Sequence, residues 1–170
     1  MEAKIAKIGY SLKAVLDEEI DLLSNLHEVM EQENRLLLES STSHLFELNK
    51  TKELLILQHS YLDRTRRNHT VNLSKVLKLE NSEPKLAVLV ELMEGKLAKQ
   101  IGELQVRLRQ LVDNIQQLSA ENSKLIECSI SAVQDSWGML KRQFVNLDKS
   151  KKHGQFKKGQ EPTALLQGRI

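Results

Sequence analysis

Between Gly9 and Pro84 the chain has neither a glycine nor a proline, so positions 10 to 83 form one stretch without a turn residue. A sheet protein would need several tight turns over such a length, and those turns draw on glycine and proline. Helices have no such need. The chain has only six aromatic side chains (one Trp, two Tyr, three Phe), too few to fill a thick core. Its Leu, Ile and Val, mixed with many Lys, Glu and Gln, suit helices that meet along narrow seams. The fold class is all-α.

The apolar spacing predicts an elongated, antiparallel, coiled-coil-like bundle of three helices, the third very long. The first helix is expected over 8–38, with Ile8, Leu12, Leu16, Ile20, Leu23, Leu26, Met30 and Leu37 following steps of three and four. The cluster Ser40, Ser41, Thr42, Ser43 marks a turn and offers capping oxygens to a second helix over 43–79. That helix carries Leu45, Leu48, Leu55 and Leu62. Its basic knot of Arg64, Arg66, Arg67 and His69 suits a helix end, where cations complement the dipole. The string NSEP, Asn81 to Pro84, reads as the start of a third helix over 83–147. About 60 residues of helix is roughly 90 Å of rise, about twice what either of the first two spans. Gly95 and Gly102, seven apart, would let a neighbouring backbone approach closely.

Within the third helix Ile101, Leu104, Leu108, Leu111, Ile115, Leu118, Asn122 and Leu125 keep a seven-residue period suited to packing against the first two helices. After Asn122 the stripe shifts by one position, to Ile126, Ile130, Val133, Trp137, Leu140, Phe144 and Leu147. The hairpin of helices one and two is too short to cover this second stripe. Leaving such side chains in water forgoes roughly 1.5 to 3 kcal/mol each. Either the helix breaks near Ser119 to Ser123 and folds back as a fourth helix of a bundle, or the stripe is a docking face. Trp137, the single tryptophan, is a core residue in the first case and a binding hot spot in the second. Asn122, at a seam position, would fix register.

From Lys149 to Ile170 there are six basic residues and one acid, Glu161, so residues 1 to 148 hold 19 basic and 22 acidic side chains. The segment 149–170 is expected to be a flexible basic tail beside a domain over 1–148. Nucleic-acid binding by the tail is disfavoured by the acidic body and by a single interleaved aromatic, Phe156. The lone Cys128 cannot pair within the chain, and no apolar run is long enough for membrane insertion. With no signal peptide recognisable, the expected location is cytoplasmic. The five histidines lack metal-ligand spacing, and most of the acids, such as Asp17, Glu18, Glu19 and Asp21, fall at helical spacings that suggest solvated faces. No phosphate loop, nucleophile elbow or HExxH motif is present. The reading is a non-enzymatic protein without cofactors or metal.

Three stretches resemble the FlgN family of flagellar type III export chaperones. KELLILQHSYLDRTRR, Lys52 to Arg67, is similar to that family's lysine, leucine pair, tyrosine-leucine-acid and closing arginines. NSKLIECSI, Asn122 to Ile130, resembles its asparagine followed by aliphatic positions, and FKKGQ with the final GRI resembles its tail. The resemblance implies a cytosolic chaperone that binds the helical C-terminal ends of the hook-filament junction proteins FlgK and FlgL and delivers them to the cytoplasmic domain of the export gate FlhA. It implies a substrate face on Asn122, Leu125, Ile126, Ile130, Val133, Trp137, Leu140 and Phe144. It also implies a gate-docking aromatic at Phe156, which lacks the family's tyrosine hydroxyl and sits three residues before Gly159 instead of four. The alternative is a self-associating scaffold, a homodimer in which the same stripe pairs with its copy.

Overall fold

The computed structural model describes residues 2–41, 44–79, 84–93 and 95–153, with side chains described from residue 3 to residue 145. The described residues form four helices: α1 (Glu2–Leu38), α2 (Leu45–Leu77), α3 (Leu86–Leu92) and α4 (Gly95–His153). The chain divides into two compact units, Met1–Ile126 and Glu127–Ile170.

The first unit is a helical bundle with α1 at its centre. Leu12, Val15, Leu16, Ile20, Leu23, Leu26 and Met30 are all buried, so the stripe read from the sequence is the core face. Leu12 and Leu16 meet Leu73 of α2, Leu89 of α3, and Ala98 and Ile101 of α4. Further along, Leu23, Leu26 and Met30 meet Leu55 of α2 and Leu108, Leu111, Ile115 and Leu118 of α4. Contacts between α1 and α2 join residues 19 apart at Glu33 and Lys52 but 47 apart at Glu19 and Arg66, so the two helices run antiparallel. Gly9 of α1 lies against Leu97 of α4 and Asn34 against Asn122, each pair 88 residues apart, so these two helices run parallel.

Several local features differ from the sequence expectation. The stretch 83–147 is divided, because Met93 is extended (φ −94°, ψ 144°) and Gly95 has φ +85°. Gly95 therefore serves the turn and not a close approach, since nothing lies within 4 Å of a Cβ built on it. Gly102 does face a neighbour, with a Cβ there 3.3 Å from Val90 Cγ1, and at Gly9 a Cβ would stand 2.8 Å from Leu97 Cδ2. The serine cluster ends α1: Ser40 is left-handed (φ 54°) and the Ser41 amide donates to the Leu36 carbonyl at 2.9 Å. Capping of α2 falls instead to His44, without a side-chain bond, and Thr42 and Ser43 lie outside the described residues. Of the NSEP string only Pro84 is described, and α3 starts at Leu86.

The basic knot does not cap α2, which continues to Leu77. Arg66 instead donates from Nε to Glu19 Oε2 at 2.9 Å and from Nη2 to Asp63, while Arg67 Nε lies 2.9 Å from Asp63 Oδ2. Glu19, only 1% exposed, is thus no solvated acid: His59 Nε2 stands 3.2 Å from its other oxygen. A second buried carboxylate, Glu33, accepts from Lys52 Nζ at 2.5 Å and from Asn122 Nδ2 at 2.9 Å. Among the described residues no buried side-chain polar atom lacks a partner, which is the condition under which buried charge is tolerable.

Two outcomes follow for the stability of this unit. Gly95→Ala forces a Cβ into a left-handed conformation and should lower the unfolding free energy by about 1 kcal/mol or more, read as a lower midpoint in a urea melt. Lys52→Met strands the Glu33 carboxylate and should cost about 2 kcal/mol, part of which Lys52→Met combined with Glu33→Leu restores. An unchanged midpoint for Lys52→Met would show that the ion pair contributes nothing.

Candidate functional site

The second unit offers no core of its own among the described residues. From Glu127 onward α4 is a single helix, and every side chain from Glu127 to Val145 is exposed except at Gly138. The helix passes through Ser119 to Ser123 without a break, where a fold-back was one of the two expectations. On a continuous helix Ile130, Val133, Trp137, Leu140 and Phe144, spaced by steps of three and four, share one face. All five are open to solvent, Trp137 at 70%. Ala132, Val133, Ser136, Trp137 and Leu140 line a shallow trough of about 390 Å³.

The border of this face is nearly free of charge. One flank is made of Ser129, Ala132, Ser136 and Gln143, the other of Glu127, Ser131, Gln134, Gly138 and Lys141, so its two charges are opposite in sign. The Ser136 hydroxyl donates to the carbonyl of Ala132 at 2.8 Å, which turns its polarity into the helix. Gly138, beside Trp137, has nothing within 4 Å of a Cβ built on it, although a helix interior pays about 1 kcal/mol for glycine relative to alanine.

The other expected site residues are placed differently. Asn122 is 3% exposed and belongs to the bundle of the first unit. Its amide donates to the Met30 carbonyl at 3.0 Å and to Glu33 Oε2 at 2.9 Å, and its oxygen accepts from Asn34 Nδ2 at 2.8 Å. Both donors and its acceptor are engaged within the bundle. Leu125 is half-buried and Ile126 is 39% exposed, at the end of the first unit. Phe156 and the rest of the expected tail from residue 154 lie outside the described residues, while α4 itself runs to His153.

Among the described residues there is no group of three or more His, Cys, Asp or Glu side chains arranged to hold a metal. No described helix is long and apolar enough to cross a membrane. What the described part of α4 beyond Ile126 presents is an exposed apolar face. No curated protein and no solved structure matches the chain. The family model for FlgN protein matches residues 10–150, which takes in the bundle and the exposed face of α4 alike. With most of its length matched, the chain belongs to the FlgN family of flagellar export chaperones.

Proposed function

We propose that this chaperone holds the amphipathic C-terminal helices of the hook-filament junction proteins, FlgK and FlgL in type, on the α4 face from Ile130 to Phe144. One observation carries the reading: five large apolar side chains on a single helical face lack any cover from the described residues. A partner helix laid along them would supply the missing contacts in a helix-in-groove manner, with anchors at steps of three and four. The border carries one acid and one base, Glu127 and Lys141, and so no net sign, which suits apolar helices of differing sequence. Binding without catalysis, in the cytoplasm, followed by delivery to the cytoplasmic domain of the export gate FlhA, completes the proposal. Phe156 is the expected gate contact.

Trp137→Ala is expected to weaken binding of a junction-protein C-terminal helix by about 30-fold, the scale of a tryptophan hot spot. Ile130→Asp, which sets a charge in the same face, should abolish it. Far-ultraviolet circular dichroism should stay at the parent value for both, since these side chains are already exposed. Loss of helicity would mean that Trp137 is a core residue and that the face is misread. Sedimentation supplies the second check. A tight dimer with a buried indole and no affinity for junction-protein helices would assign the face to self-association.

A further inference from the structure

The string Lys52 to Arg67 contains residues that the bundle explains and residues that it does not. Lys52 serves Glu33, and Asp63 with Arg66 serves the cluster around Glu19. Leu54, Leu57 and Tyr61 serve nothing inside: they follow steps of three and four on the outward face of α2, with Leu57 69% and Tyr61 71% exposed. Leu57 and Tyr61, with Gln58 and Leu62, form one wall of a groove of about 650 Å³. The other wall is Glu18, Asp21, Leu22 and Asn25 of α1. Leu22 and Leu62 are half-buried, while Glu18 and Asp21 are exposed, as is Glu28 one turn beyond Asn25. The groove thus has an apolar floor, an apolar α2 side and an acidic α1 side, with no lysine or arginine among its lining residues.

We propose that this groove receives an apolar helix of a partner protein that carries lysine or arginine along the edge facing α1. It is a second docking surface, within the first unit, and does not depend on the α4 face. The border of that face, with one acid and one base, sets no net sign on its partner, whereas the carboxylates of Glu18 and Asp21 select for cations. A second copy of this chain is a poor occupant. A two-fold pairing of the groove with itself brings the same acidic edge from both molecules and no cation from the lining.

The test uses two fluorescein-labelled amphipathic helical peptides with one leucine stripe, bordered by lysine in the first and by glutamate in the second. They are titrated into the full chain carrying Trp137→Ala and Ile130→Asp, so that the α4 face does not compete. The lysine-bordered peptide should bind at least tenfold more tightly, with an advantage that shrinks as salt rises. Leu57→Ser with Tyr61→Ser should remove at least tenfold of that affinity. Glu18→Lys with Asp21→Lys, both at exposed positions, should reverse the preference without relying on the apolar variants. Equal affinity for the two peptides overturns the proposal, as does a preference that the charge reversal leaves in place. A concentration-dependent dimer abolished by Leu57→Ser gives the groove to a second copy and likewise overturns it.

Discussion

The first unit depends on α1 being buried on more than one side. A helix packed against a single neighbour hides about one stripe, whereas α1 hides Leu12, Leu16 and Ile20 completely. It also buries Glu19, between Leu16 and Ile20, and Glu33, three residues past Met30. Apolar contact alone is non-directional and would accept α2 one turn up or down. The two carboxylates remove that freedom. Glu19 must meet Arg66 and His59 while Glu33 meets Lys52 and Asn122, and a slip of one turn strands both charges at several kcal/mol. The polar pairs set the register that the leucines stabilise.

Much of this bundle was legible because its core follows helical period. The predicted stripe of α1 from Leu12 to Met30 is the buried one, and the seven-residue seam from Ile101 to Leu118 is the part of α4 that packs on α1 and α2. What period does not reveal is charge partnered at long range. Glu19 lies three residues after Leu16 and four after Val15, squarely on the apolar stripe, and that spacing was the available signal. Its partner Arg66 is 47 residues away, so the sequence shows a buried position without showing what neutralises it. The break before α4 was hidden for another reason. Helical pattern continues across it, and only the backbone angle at Gly95 separates a tolerated glycine from a turn.

The exposed apolar face of α4 was legible in the sequence by position and less so in extent. The shift of the stripe after Asn122 separates side chains that find partners in the bundle from those left in solvent. Asn122 was read on both sides of that line, as register residue and as substrate contact, and it is buried with bonds to Met30, Glu33 and Asn34. The exposure of Leu54, Leu57 and Tyr61 could not be read from spacing. An apolar stripe on α2 looks the same whether it faces α1 or water, and the stripe that does face α1 runs through Leu55.

An export chaperone must bind firmly enough to shield a helix and loosely enough to surrender it. Covering a large apolar side chain yields roughly 1.5 to 3 kcal/mol, while association costs about 4 to 15 kcal/mol before any contact counts. Under the proposed reading, five such side chains gain roughly 7.5 to 15 kcal/mol, a sum of the same size as that cost, which is the balance reversible binding needs. The rigidity of the face matters in that balance. Because α4 is already helical there, the chaperone spends little on ordering itself, and most of the cost falls on the partner segment. A more apolar or more enclosed site would hold its client too long, and under the proposed reading the open face of α4 avoids that by making few contacts that have to be broken.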